Sequence, residues 1–248
     1  MKTRLDQALV ARGLCESREQ AKRLILAGQV VVDGVENPKP GLAVPDDRAI
    51  RVKESPKYVG RGGLKLEGAL DAFSIDPAGK VALDAGASTG GFTDCLLQRG
   101  AARVHAFDVG TNQLAWKIRS DPRVNAREGF NVRYLTPEDV GEPVDLIVID
   151  VSFISLTLIL PAVFPVLKPE GDLICLIKPQ FELRREQIGK GGIVREQALR
   201  DEAVVKIRDF ATGTLAKDWR GLVESPISGT DGNVEYLAWL RHPPHESD

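Results

Sequence analysis

The chain has 248 residues, 43% of them hydrophobic and 27% charged, with a formal net charge of −2. That length holds one large domain plus a small one, and the near-neutral charge excludes nucleic-acid binding through a global positive excess, leaving only local patches. Cys15, Cys95 and Cys175 are odd in number and far apart, which argues against a disulfide framework and fits a reducing cytosol.

The chain starts on charge, Met1-Lys2-Thr3-Arg4-Leu5-Asp6, with no apolar run behind it, so no secretory signal is expected. Residues 1–54 read as a separate small module. Thr3 is placed to cap a first helix with Leu5, Ala8 and Leu9 on one face, closed at Gly13. Ser17 starts a second helix, where Gln20 completes a capping-box pattern. Ala21, Leu24 and Ile25 form its apolar face and Gly28 ends it. Short strands are expected over 29–32 and 49–52, with a turn at Asp33-Gly34. On the two helices Arg4, Arg12, Arg18, Lys22 and Arg23 outnumber Asp6, Glu16 and Glu19, a surplus suited to a phosphate backbone. A solvated charged face accounts for the charge equally well. The order Arg4-Leu5-Asp6, Ser17-Arg18-x-x-Ala21, Gly28-x-Val30-x-Val32-Asp33-Gly34, Lys39-Pro40 resembles the S4 RNA-binding module. That resemblance implies binding of structured RNA, read mainly by shape and backbone.

Residues 55–63 read as a linker, with Gly60, Gly62 and Gly63 as a flexible joint and Arg61 able to reach phosphate. A second domain follows over 64–248. It opens on a helix and then alternates. Strands are expected near 81–85, 103–107, 123–127, 144–150 and 171–178, a helix near 196–215, and strands near 220–225 and 234–241. Alternating β and α gives an α/β, Rossmann-like domain with a mostly parallel sheet. The turn-rich Ser228-Gly-Thr-Asp-Gly-Asn233 suits a hairpin, so the last strand is expected antiparallel. The apolar stretch 146–167 carries Asp150, Pro161 and Pro165, which argues for strand, loop and helix and against a membrane span.

The segment Val81-Ala-Leu-Asp-Ala-Gly-Ala-Ser-Thr-Gly-Gly-Phe92 reads as buried strand, small-residue turn and helix start. An open α/β sheet holds a nucleotide-like cofactor at such a turn. Gly86, Gly90 and Gly91 fit neither G-x-G-x-x-G nor a P-loop. Asp84 would repel a pyrophosphate and suits a cofactor with an amine and a positive charge, such as S-adenosyl-L-methionine. A purely structural turn is the plainer alternative. The candidate cofactor set is Asp84, Ala85, Gly86, Ser88, Thr89, Gly90, Gly91 and Phe92, with Asp108 and Val109 at the end of the second strand and Asn131 after the third. Asp108 is expected to accept from ribose hydroxyls, because Asn112 competes for the helix cap and leaves it free. Asn131 is placed on the adenine side.

Asp150 and Lys178 close the fourth and fifth strands at the carboxyl rim. Glu235 opens the last strand, which starts at that same rim if it runs antiparallel, and Lys65 covers the site from the opening helix. The loop over 187–195 combines Gly189, Gly191 and Gly192 with Lys190 and Arg195; it is expected to be mobile and to close over RNA, with an ordinary exposed loop as the alternative. His105, His242 and His245 make no metal-ligand spacing with the cysteines, so no metal site is expected.

Lys65, Asp150, Lys178 and Glu235, in that order on such a fold, resemble the catalytic tetrad of FtsJ-like RNA 2′-O-methyltransferases. Further blocks are Gly60-Arg-Gly-Gly-Leu-Lys65, Asp150-Val-Ser-Phe153, Lys178-Pro-Gln-Phe181 and Gly189-Lys-Gly-Gly-Ile-Val-Arg195. With them, and with the S4-like module, the whole chain resembles the TlyA-type (haemolysin A) family of ribosomal-RNA methyltransferases. The resemblance implies a class I methyltransferase fold, S-adenosyl-L-methionine as cofactor and cytidine 2′-hydroxyls of ribosomal subunits as target. It implies Lys178 as general base, Asp150 and Glu235 as orienting groups, and Lys65 as positioning the hydroxyl. The partner is then ribosomal RNA and the location cytoplasmic, without membrane or metal. Two other readings stay open: a non-catalytic ribosome-assembly factor with a degenerate cofactor fold, and a membrane-active haemolysin.

Overall fold

A computed structural model of the chain describes residues 2–53 and 56–243. Ser55 of the expected linker and His245 lie outside the described residues. The chain divides into two compact units, Met1–Lys57 and Tyr58–Asp248.

In the first unit the chain enters as a strand, β1 (Lys2–Arg4), followed by α1 (Leu5–Ala11) and α2 (Arg18–Leu26), then β2 (Val30–Val32), β3 (Val35–Glu36), β4 (Ala43–Pro45) and β5 (Ile50–Val52). Thr3 does not cap α1. It pairs with Val44 across an antiparallel β1–β4 ladder, and the N–H groups of Leu5 and Asp6 donate to Leu42 O and Pro40 O. Loop carbonyls satisfy the helix start, which frees Thr3 for the strand. Ser17 does cap α2, its hydroxyl accepting the Gln20 N–H at 3.2 Å. The Gln20 side chain reaches one residue further back than a capping box requires, to Glu16 N–H at 2.9 Å. Leu5, Leu9, Ala21, Ile25, Val30, Val32 and Val44 make one small core.

The second unit contains α3 (Gly62–Phe73), β6 (Val81–Ala85), α4 (Gly91–Gln98), β7 (Arg103–Asp108), α5 (Trp116–Arg119), β8 (Val124–Glu128), α6 (Pro137–Val140), β9 (Val144–Ile149), α7 (Leu160–Val163), β10 (Leu167–Ile177), α8 (Pro179–Glu182), α9 (Gln197–Asp209), β11 (Asp218–Glu224) and β12 (Tyr236–Arg241). The sheet order is β11-β12-β10-β9-β6-β7-β8. Neighbours from β10 to β8 pair in parallel, while β12 is antiparallel to both β10 and β11. Residues 146–149 of β9 and 173–177 of β10 are apolar without interruption because both faces are covered. Ile147 and Ile149 of β9 pack into one core, Leu146 and Val148 into the other. That two-sided burial, roughly 1.5–3 kcal/mol per large aliphatic side chain, holds the strand ends rigidly at the rim.

Gly60, Gly62 and Gly63 are packed rather than a flexible joint. A Cβ on Gly60 would stand 2.5 Å from Thr89 Oγ1, one on Gly62 would stand 3.1 Å from the Phe92 ring, and one on Gly63 would overlap the buried Tyr58 ring. The stretch 146–167 is β9, a loop and short helical turns. Among the described residues no helix is long and apolar enough to cross a membrane. Cys95 and Cys175 are fully buried.

Candidate active site

The turn after β6 is shaped by Gly86. Its φ is +93°, in the left-handed region, and a Cβ there would lie 2.5 Å from the Asp150 carbonyl oxygen. Only glycine lets the ends of β6 and β9 approach this closely. The Gly86 N–H donates to Phe107 O at 2.8 Å, tying the turn to β7. Beside it lies a cavity of about 450 Å³, with apolar walls from Val109, Phe130, Val132, Ile154 and Ile159 and polar groups from Ser88, Asp108 and Asn131.

Asp108 borders this cavity but is not free. Its Oδ2 accepts the Ser88 N–H at 2.7 Å and its Oδ1 the Gly110 N–H at 2.6 Å. It braces the turn and offers a ligand only its remaining lone pairs. Asn131 also borders the cavity, while its Oδ1 accepts the Arg133 N–H at 3.1 Å. Asp84 lies beneath the turn, fully buried, and lines neither this cavity nor its neighbour. The Thr93 hydroxyl donates to its Oδ2 at 2.6 Å, and Oδ1 has no hydrogen-bond partner among the described residues. Burial pushes the Asp84 carboxyl up to about 7; the Thr93 hydroxyl opposes that and the Asp150 charge adds to it. Ala85 and Gly90 also stand behind the walls, whereas Gly86, Ser88, Thr89, Gly91 and Phe92 line the cavities.

A second cavity, about 520 Å³, shares Gly86, Ser88, Asp150, Ser152 and Phe153 with the first and collects Lys65, Lys178 and Glu235. Lys65, on the first turn of α3, places Nζ 2.5 Å from Glu235 Oε2, both side chains being buried. Lys178 stands at the end of β10, where Pro179 opens α8. Its Nζ lies 2.6 Å from Asp150 Oδ1 as an ion pair off the hydrogen-bond line, and it donates to Ser152 Oγ at 2.9 Å. Each buried charge therefore has an opposite partner, without which burial would cost several kcal/mol per ion.

Sequence reasoning assigns no role to Ser152, Phe153 or Phe181. Phe153 is 91% exposed at the cavity mouth and packs on Phe181 with ring centroids 5.0 Å apart. The available signal was an apolar ring three positions after each charged strand end, which a core residue imitates equally well.

The candidate RNA residues divide. Arg4 Nε and Arg18 Nη2 each lie 3.1 Å from the carboxylate of Asp6, which is buried. Hydrogen bonding from Arg4, aided by Arg18, holds the Asp6 carboxyl at about 2 against the opposing effect of burial. Arg12 donates to Arg48 O, Pro45 O and Asp46 O. These three arginines hold the fold. Lys22 and Arg23 are exposed, with no ion pair among the described residues. Arg61 donates to Ser228 O at 3.0 Å. The loop over 187–195 is pinned rather than free, since buried Asn233 accepts the Val194 N–H and donates to Gly192 O, both at 2.9 Å. Lys190 and Arg195 project from it, exposed. Among the described residues no cluster of three or more His, Cys, Asp or Glu is placed to hold a metal.

A sheet with one reversed strand, and paired cavities at the carboxyl rim where the strand order switches, define a class I methyltransferase. Residues 58–242 match the FtsJ-like methyltransferase family and residues 3–39 the S4 domain. The chain belongs to the FtsJ-like methyltransferase family, in its TlyA-type branch with an S4 domain in front. It is 49% identical to the 16S/23S rRNA (cytidine-2′-O)-methyltransferase TlyA of Mycobacterium tuberculosis, over 97% of this chain and 90% of that protein. It is 44% identical to Hemolysin A of Brachyspira hyodysenteriae, over 95% and 98% of the two chains. A solved structure from Streptococcus thermophilus, carrying the hemolysin name, superimposes with a TM-score of 0.74 at 47% identity and covers 97% of this chain and 88% of its own.

Proposed function

We propose that the chain is an S-adenosyl-L-methionine-dependent 2′-O-methyltransferase of ribosomal RNA, acting on cytidine ribose in ribosomal subunits in the cytoplasm. The observation that carries this reading is the pair of Lys–carboxylate contacts converging on a cavity that shares part of its lining with the one beside Gly86. The name of the M. tuberculosis relative supports the choice of substrate.

The first cavity suits the cofactor. Flat apolar walls accept an adenine, Asp108 faces the ribose side, and the negative charge of Asp108 and Asp150 favours a cation over a pyrophosphate. When bound, S-adenosyl-L-methionine supplies a methyl group on a positively charged sulfur. The protein's own part is to hold a 2′-hydroxyl in line and remove its proton. Lys178, as the free amine, takes that proton on Nζ, and Asp150 at 2.6 Å stabilises the ammonium that forms. Lys65, held against Glu235, stabilises negative charge growing on the oxygen. Phe153 and Phe181 offer the flipped base an aromatic face. The S4 segment, with Lys22 and Arg23, together with Arg61, Lys190 and Arg195, supplies contacts to RNA phosphates.

The test is to incubate the protein with radiolabelled S-adenosyl-L-methionine and unmodified small and large ribosomal subunits, with Lys178→Ala alongside. Label at an alkali-resistant 2′-O position, lost in the variant, is the expected result and names the subunit. Cofactor binding without label on either subunit or free rRNA would overturn the substrate. Absence of cofactor binding as well would restore the assembly-factor reading.

A further inference from the structure

We propose that Ser152 is a positioning residue that aims the lone pair of Lys178 at the acceptor hydroxyl, an inference that rests on reading Lys178 as the base. A neutral lysine amine has two N–H bonds and one lone pair, and it spins about its last carbon–nitrogen bond. Holding one N–H fixes that rotation and with it the direction of the lone pair. Asp150 Oδ1, 2.6 Å from Nζ, fixes one direction by charge but lies off the hydrogen-bond line. Ser152 Oγ, at 2.9 Å, accepts the aligned hydrogen bond that Asp150 does not. Lys178 lines the acceptor cavity, so the direction left over is the one into it.

The scaffold around Ser152 supports the same role. Ser152 and Lys178 lie on different segments, after β9 and at the end of β10, and the aim depends on their separation. Glu182, buried just past Lys178, clamps the two together. Its carboxylate accepts from Ser155 Oγ at 2.5 Å and from Leu156 N–H at 2.8 Å, and Lys206 Nζ lies 3.1 Å away. The loop bearing Ser152 is thus fastened to the segment bearing Lys178. Ser152 itself stands where the two cavities meet. During reaction the O2′–H bond breaks and Nζ–H forms, while the oxygen forms a bond to the methyl carbon as the methyl–sulfur bond of the cofactor breaks, its electron pair staying on sulfur. Ser152 gains and loses no proton in this; it keeps accepting the same hydrogen bond before and after.

The experiment measures kcat and KM on unmodified ribosomal subunits for the wild type, Ser152→Ala, Ser152→Thr and Lys178→Ala, across a pH series, with melting temperature and cofactor Kd for each. Ser152→Ala should lower kcat about 10- to 150-fold, the size of one hydrogen bond to a charged group. KM, cofactor Kd and melting temperature should not move. The deficit should persist at every pH, since what is lost is orientation, and Ser152→Thr, which keeps the hydroxyl, should recover most of the rate. A wild-type kcat in Ser152→Ala would overturn the proposal. So would a raised KM at unchanged kcat, which marks a substrate contact, a lowered melting temperature, which marks a structural role, or a Thr variant as slow as Ala. If Lys178→Ala is as active as the wild type, the base assignment fails and this inference with it. An inactive Lys178→Ala beside a full-rate Ser152→Ala sinks this inference alone.

Discussion

Two clusters of opposite charge, one in each unit, differ in which partner is inside. Around Asp6 the carboxylate is fully buried and the arginines that hold it are about half exposed, 51% for Arg4 and 53% for Arg18. Around the cavity of the second unit the lysines are themselves buried, and their contacts with Glu235 and Asp150 face open space large enough for a substrate. Arginine suits the first task because its guanidinium never loses its charge and its several donors clamp a carboxylate. Lysine suits the second because it can become neutral and carry a proton. A basic residue is therefore a structural or a chemical element according to what faces its nitrogen, and the sequence records only that it is basic.

Exchanging the cations is the sharpest way to break this contrast. Lys178→Arg keeps the charge beside Asp150 but cannot act as a base, and methyl transfer should fall by about 10²- to 10⁴-fold with folding intact. Label incorporation and thermal melting check both halves, and an active arginine variant would refute the assignment of Lys178. Next in size, Asp6→Ala should cost about 2–3 kcal/mol of stability, seen in denaturant unfolding, with kcat unchanged at low temperature. Because the Asp6 carboxyl is held at about 2, its contribution is complete above the ordinary carboxylate range and is lost as pH falls toward 2. The wild-type and Asp6→Ala melting temperatures should therefore converge on acidification.

Asp84 tests the opposite sign. Its carboxyl is pushed up to about 7, so ionising it in the folded protein works against stability. That penalty is absent below about pH 4, grows between there and 7, and is constant above. Asp84→Asn should gain in melting temperature relative to the wild type across that window, and a flat difference would count against a buried, ionisable Asp84. The smallest effects belong to the exposed cations. Lys22→Gln or Arg23→Gln should weaken binding to ribosomal RNA only a few-fold, with melting unchanged. The salt dependence should become shallower by about one unit of slope for each phosphate no longer neutralised. Arg12→Gln should do the reverse, lowering the melting temperature, because its guanidinium holds three backbone carbonyls.

The fold was legible where a local pattern has a single physical cause. A strand buried on both faces must be apolar throughout, so Leu146-Ile-Val-Ile149 and Leu173-Ile-Cys-Leu-Ile177 announce themselves. A reversed last strand must begin at the rim where parallel strands end, which brings Glu235 beside Asp150 and Lys178. The errors have a common origin in partners that lie elsewhere in the chain. Thr3 lost its capping role to carbonyls of Pro40 and Leu42. Asp108 was expected to be free because its own neighbourhood offers Asn112 as a cap, and it is engaged by Ser88, twenty positions earlier. The loop at 187–195 looks mobile from its glycines and is held by Asn233.

By itself the sequence determined the fold class, the direction of the strands and the set of ionisable groups at their carboxyl ends, because periodicity, turn residues and chain order are local properties. Only the tertiary structure decided which cations are clamps and which face a cavity, which glycines are close contacts, and that Ser152 completes the environment of Lys178. Those are questions of distance and burial, and both depend on residues brought together from remote parts of the chain.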